Sequence, residues 1–332
     1  MTEKSNLPKV VTVFGGSGFV GRHVVRALAQ RGYRVRVAVR RPDLAFHLQP
    51  LGDVGQITAV QANLRHRWSI ARAIEGADAA INLVGILFQS GRQSFAAVQE
   101  FGARAVAEAC AEAGVPLVHM SALGADAHSE SEYARTKSHG ERAVFDALGD
   151  HAIVIRPSIV FGPEDDFFNK FGEMARFSPV LPLIGGGHTK FQPVYVGDVA
   201  EVFARAVDGK LKGGAVYELG GAEVLTFREC LEEVLKVTRR KRLFVTVPWW
   251  AARMQGRILG LLPNPLLTVD QVTLLKTDNV VSDAAETEGR TLAGIGIRPA
   301  TLEAILPSYM WRFRETGQFT NPNLPTETGG AA

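Results

Sequence analysis

Tyr133 and Lys137 stand four residues apart, which on a helix puts a phenol and an ammonium on one face, and Ser121 lies twelve residues before the tyrosine. A nearby cation lowers the pKa of a phenol. Carbonyl reduction needs three such groups: Ser121 to orient the carbonyl, Tyr133 to donate the proton, and Lys137 to hold the cofactor ribose and tune Tyr133. The same pair can also grip a ribose without turnover, and the residues alone leave both readings open.

A second spacing supplies the cofactor. Gly15, Gly18 and Gly21 form Gly-x-x-Gly-x-x-Gly directly after the apolar run Val10 to Phe14 and before a helical segment, with Ser17 and Phe19 inside the turn. Such a turn brings backbone N–H groups and a helix N-terminus up to a pyrophosphate, where a β-carbon would obstruct. An acid about 20 residues further on marks a cofactor without a 2′-phosphate. This chain has Arg40 and Arg41 there, whose guanidiniums suit the extra phosphate, so NADP(H) is expected over NAD(H). Position places Asn63 at the adenine, Leu83 and Gly85 near the nicotinamide, and Pro157 on the same rim.

These residues need a scaffold. β-branched runs at Val10 to Phe14, Arg34 to Val39, Ile57 to Gln61, Ala79 to Leu83, Leu117 to Met120 and Ala152 to Arg156 alternate with helical patterns, which predicts an α/β, Rossmann-type doubly wound parallel sheet. The clearest helix runs from Phe95 to Ala113 and stops at Gly114. After Pro157 the chain breaks into shorter pieces, then resumes with a helix over Val199 to Val207 capped by Asp198 and a strand over Gly214 to Leu219. The expected division is a nucleotide-binding domain over 8–157 with further sheet elements from 194–220. A smaller, mainly helical lobe is interleaved over 158–314, and 315–332 is expected to be a disordered tail.

Composition removes other classes. A formal net charge of +3 gives no field for a dedicated nucleic-acid binder, and the eight histidines show no metal-ligand spacing. Cys110 and Cys230 sit in amphipathic segments as small core residues. No uncharged run reaches the roughly 18 to 20 residues that cross a bilayer. The amino terminus carries no signal-peptide or presequence pattern, so the chain is expected to stay in the compartment of its synthesis.

The glycine triplet, the Tyr133/Lys137 pair, the segment Arg156 to Pro163 and Gly185-Gly186-Gly187 through Val199 together resemble the extended or atypical short-chain dehydrogenases/reductases, over residues 8–310. Within that superfamily, Arg156 to Phe168 followed by Asn169-Lys170-Phe171, then Gln192-Pro193-Val194 and Val196-Gly197-Asp198-Val199, is similar to the alpha subcomplex subunit nine family of accessory subunits of respiratory complex I, NADH:ubiquinone oxidoreductase. The resemblance implies an NADPH-binding subunit whose nucleotide is structural, with Gly15, Gly18, Gly21 and Arg40 as contacts. It implies docking on peripheral-arm subunits near the quinone site, on the cytoplasmic face of a bacterial inner membrane or the matrix face of a mitochondrion. The superfamily commonly has Asp where this chain has Asn63. Because Tyr133 and Lys137 are intact, the alternative of a free NADP(H)-dependent reductase or isomerase, acting on a quinone precursor, an isoprenoid or a nucleotide sugar, stays open.

Residues 248–262 add a surface question. Read as a helix after the basic run Arg239 to Arg242, they align Trp250, Met254, Ile258 and Leu261, flanked by Arg253 and Arg257. That pattern suits a membrane surface or a partner groove, or else a helix packing its apolar side inward.

Overall fold

The computed structural model describes residues 9–262 and 265–316. The β-branched runs form β1 (Val10–Phe14), β2 (Arg34–Val39), β3 (Ile57–Gln61), β4 (Ala79–Asn82), β5 (Leu117–Met120), β6 (Ala152–Pro157) and β7 (Ala215–Leu219). They join in one sheet of order β3-β2-β1-β4-β5-β6-β7, parallel throughout. The order reverses between β1 and β4, which opens a crevice at the carboxyl ends of those strands.

Strand alternation sorts the core into two layers. Val11 and Val13 pack with Val24, Leu28, Val199 and Phe203 of α1 (Phe19–Gln30) and α6 (Val196–Val207). Phe14 and Ala80 face the other way, against Ile70, Val106 and Val144 of α2 (Arg67–Ile74), α3 (Phe101–Ala113) and α4 (Glu132–Leu148). Both sheet faces are covered, as a parallel sheet requires. Cys110 and Cys230 are buried, and burial pushes both thiols up to about 12.

Several boundaries differ from the sequence pattern. β4 stops at Asn82, so Leu83 belongs to the following turn. The helix expected from Phe95 begins as a π-helical turn over Ala96–Glu100 before α3. This wider turn aims Gln99 inward, where its Nε2 donates to Ile86 O (2.8 Å) and its Oε1 accepts from Thr136 Oγ1 (2.8 Å). Asp198 is not a cap: α6 already starts at Val196, and the Asp198 carboxylate is drawn to the Ala300 N–H at 2.8 Å.

The remaining chain forms the lobe, with α5 (Phe167–Phe177), α7 (Phe227–Thr238), α8 (Trp249–Leu259), α9 (Val269–Leu274), α10 (Asp283–Thr287) and α11 (Leu302–Met310). Phe167, Phe171, Phe191 and Phe227 meet mostly edge-on, and Phe161, Phe168, Cys230, Leu306 and Met310 form an adjoining core. α8 packs inward through Ala252, Gly256 and the half-buried Trp249, leaving Trp250, Met254, Ile258 and Leu261 exposed. The outward stripe therefore replaces the inward packing that the sequence also allowed. Of the expected tail, 317–332 lies outside the described residues. Among the described residues no helix is long and apolar enough to cross a membrane.

Gly140 lets α4 approach the π-helical turn. A β-carbon there would press on the Gln99 carbonyl and reach the Ala103 β-carbon at 3.3 Å. Gly140→Val is expected to lower unfolding free energy by about 3 kcal/mol, read by urea denaturation. An unchanged midpoint would show that the two elements separate freely.

Candidate nucleotide site

Between β1 and α1 the backbone turns at Gly15, whose φ of 81° favours glycine, and Gly18 N donates to Gly15 O (3.1 Å). A β-carbon at Gly21 would overlap Gly15 O and the Gly16 backbone, so this glycine is demanded by the turn itself. Gly18 differs: an added β-carbon would meet only Gly15 O at an ordinary 3.4 Å. The protein leaves room there, and what the missing side chain keeps open is the approach to α1. Gly18 caps that helix with no side-chain hydrogen bond and no acid lies in the first turn, so the first amides keep their partial positive charge. This cradle fits a pyrophosphate. Phe19 beside it is half-buried and meets His23 edge-on, and Ser17 is half-buried at the tip of the turn.

The other nucleotide contacts divide. Arg40 and Arg41 are both exposed at the end of β2. Arg41 forks onto Asp43 (Nη2 to Oδ2, 2.7 Å; Nε to Oδ1, 3.0 Å), and this contact holds the Asp43 carboxyl below its ordinary range. Arg40 makes no ion pair among the described residues. Asn63 is engaged in its own turn: Oδ1 accepts from Arg65 N (3.2 Å), and the backbone N–H of Asn63 donates to Ser69 Oγ (3.0 Å).

At the far end of the crevice, several candidate residues converge. A β-carbon on Gly15 would lie 3.3 Å from Leu83 C, and one on Gly85 3.3 Å from Lys137 Nζ, so the two turns and α4 face one another. Lys137 is buried, donates to Met120 O (3.2 Å), and stands over the Tyr133 ring 5.9 Å from its centroid. Burial brings the Lys137 ammonium down to about 8, opposed by the Glu141 carboxylate. The expected lowering of Tyr133 is reversed. Loss of water, and after it the carboxylate of Asp270, push the phenol up to about 12. The phenol therefore stays protonated and keeps a hydrogen to donate.

Ser121 is buried, and its Oγ has no partner among the described residues; neither has Nε2 of His119, two residues earlier on β5. His119 Nδ1 is 3.3 Å from Asn82 Nδ2, and burial together with Lys137 takes the imidazole down to about 3, so it is neutral. Pro157, buried at the end of β6, accepts from Leu123 N at 3.0 Å.

Four residues were given no role at the site by the sequence reading. His119 was legible, since alternation puts it on the Ser121 side of β5. Asp270 was not: its Oδ2 accepts from Ser131 Oγ (2.8 Å) and Oδ1 from Glu132 N (2.8 Å) across more than a hundred residues, at the start of α4. The buried Glu141 is forked by the half-buried Arg156 (2.8 and 2.5 Å) one turn beyond Lys137.

Comparison with known proteins bears on what this site serves. The sequence profile of the NAD dependent epimerase/dehydratase family matches residues 11–220. The NADH dehydrogenase [ubiquinone] 1 alpha subcomplex subunit 9 of Arabidopsis thaliana mitochondria is 36% identical over 289 residues, 83% of this chain and 72% of that protein. A ceramide reductase of Caulobacter vibrioides is 37% identical over 175 residues, 53% of this chain and 54% of that one. An NADPH-dependent quinone oxidoreductase of Escherichia coli, solved with NADPH, superposes with a TM-score of 0.70 at 19% identity, covering 90% of this chain and 98% of the other. At that identity the likeness shows the fold alone.

The lysine yields a pH test. Between about pH 8 and 10.5 the unfolded chain holds a proton on Lys137 that the folded chain has released, so its contribution to stability rises with pH across that window. The stability of wild type minus Lys137→Met, from urea denaturation, is expected to increase over that range. A flat difference would mean that the lysine titrates normally.

Proposed function

Because the chain belongs to the NAD dependent epimerase/dehydratase family and, within it, to the group of the alpha subcomplex subunit 9 proteins, we propose that it is an NADPH-binding accessory subunit of a respiratory complex I, with the nucleotide held as a structural ligand. The N-terminus of α1 would hold its pyrophosphate, Arg40 its 2′-phosphate, and Tyr133 with Lys137 its ribose. When bound, NADPH would supply a hydride at its nicotinamide.

The observation that carries the subunit reading is the outward face of α8. Trp250 is 70% exposed, Ile258 64% and Leu261 86%. Arg253 and Arg257 are exposed beside them, and no Asp or Glu occurs from 239 to 269. Such a stripe suits a protein seated where a peripheral arm meets an anionic membrane surface. The basic run before α8 contributes less than its composition suggests. Arg240 donates to Phe313 O (2.7 Å) and Arg242 to Ala175 O (2.8 Å), both inside the lobe. The reading places the protein peripherally beside the membrane, on the cytoplasmic or matrix face, near the quinone site.

A specific observation keeps the reductase reading in view: Ser121, Tyr133 and Lys137 are intact, and Lys137 stands over the Tyr133 ring. A reductase loses turnover in Tyr133→Phe.

The deciding experiment is a blue-native gel of solubilised membranes carrying a tagged chain, probed for the tag and for NADH dehydrogenase activity. Co-migration with the large active band is expected, with Trp250→Glu shifting the tag to a small species. A small species in the wild type would favour an independent enzyme. For the nucleotide, Arg40→Glu is expected to weaken NADPH binding by tenfold or more, with NADH affected little, read by cofactor fluorescence. Equal NADPH affinity would remove Arg40 from the 2′-phosphate.

A further inference from the structure

The chain that follows α8 passes the carboxyl ends of β5 and β6 and fastens there beside three candidate site residues. Asp270 on α9 accepts from Ser131 Oγ and Glu132 N (both 2.8 Å) and from the N–H of Tyr133 itself (3.3 Å). Asn279 Nδ2 donates to Leu123 O (3.2 Å), two residues beyond Ser121. Asn279 Oδ1 accepts from Ser158 Oγ (2.7 Å), the residue after Pro157.

These contacts hold the part of α4 that is weakest on its own. The first N–H groups of a helix have no partner within it. Ser131 caps only Ala134 N (3.2 Å), so the amides of Glu132 and Tyr133 depend on a carboxylate from another part of the chain. Lys137, one turn on, has its own anchor on Met120 O. Tyr133 is thus the member of the pair whose position the lobe controls.

α9 is in turn fixed to α8. A β-carbon on Gly256 would stand 2.9 Å from the Thr268 and Val269 backbone, and Ala252, Val272 and Ile184 are buried together. The outward face of α8 and the carboxylate at the start of α4 therefore belong to one packed unit.

We propose that Asp270 is a positioning residue of the nucleotide site, seconded by Asn279, so that NADPH occupancy and the ordering of residues 268–281 with α8 are a single linked equilibrium. This rests on the NADPH reading above. Linkage is reciprocal: a ligand favoured by an ordered α4 N-terminus must itself favour that order in the segment that supplies the cap. The nucleotide then acts on the exposed face of α8 from the opposite side of the lobe.

The test uses the full chain as wild type, Asp270→Asn, Asp270→Ala and Asn279→Ala. NADPH affinity is read by cofactor fluorescence, and amide hydrogen exchange over α8 and 268–281 is read with and without NADPH. Asp270→Ala is expected to weaken NADPH about tenfold. Asp270→Asn, which keeps an oxygen for Glu132 N, is expected to recover part of that loss. NADPH is expected to slow exchange over 268–281 in the wild type and not in Asp270→Ala. The Tyr133 phenol, titrated by ultraviolet difference against Tyr133→Phe, is expected to ionise at lower pH in Asp270→Asn, because the carboxylate that opposes the phenolate is gone. Should Asp270→Ala fail to fold, Asp270→Asn and Asn279→Ala carry the test. Equal NADPH affinity in all variants, with exchange indifferent to NADPH, overturns this inference and leaves the nucleotide site standing. No NADPH binding by the wild type overturns the nucleotide reading and this inference with it.

Discussion

Arg156 on β6 forks onto Glu141 of α4 while a second acid, Glu218 on β7, stands 3.6 Å from the same guanidinium, so the helix bearing Tyr133 and Lys137 is tied to the sheet by a half-buried charge network. Removing Arg156 would leave the buried Glu141 carboxylate uncompensated, which typically costs about 3 to 5 kcal/mol. The tie constrains what gathers at the carboxyl end of β5. It fixes the middle of α4, Gly140 lets the same turn press against the π-helical segment, and Lys137 is left one turn away with its ammonium on the Met120 carbonyl. What the network does not fix is the beginning of the helix, and that is the end taken over by Asp270.

The electrostatics of the pocket follow from this arrangement. Lys137 keeps a proton less firmly than a lysine in water, His119 is neutral, and Tyr133 holds its hydrogen more firmly than a free phenol. A site arranged so is rich in hydrogen-bond donors, which suits gripping a ribose whether or not hydride transfer follows.

Much of this was legible in the sequence because it depends on neighbours along the chain. The period-two runs foretold β1, β2, β3 and β5 to the residue, and Gly114 ends α3 in the left-handed region as its position implied. The strand-turn-helix context likewise made the glycine turn readable. What escaped depends on residues that the chain brings together from far apart. No pattern near Tyr133 announces Asp270, and the reversed shift of the phenol follows from that distant carboxylate and from burial. Short-range competition hid the rest. Arg41 looked equivalent to Arg40 until Asp43 claimed it, and Asn63 looked free until Arg65 turned back onto it. The outward stripe of α8 was ambiguous for a different reason, since periodicity marks an apolar face without saying what covers it.

The pairing of β6 with β7 has a consequence for synthesis. The two strands are parallel neighbours, yet residues 158–214 lie between them, including α5, α6 and several short strands of the lobe. As the chain leaves the ribosome, five strands can assemble in the order of translation and β6 can join them. Its outer edge must then wait with unpaired backbone groups until β7 emerges. For that interval the nascent sheet presents a β-branched, adhesive border, and a pause in translation before residue 215 would prolong the period in which a chaperone has to shield it.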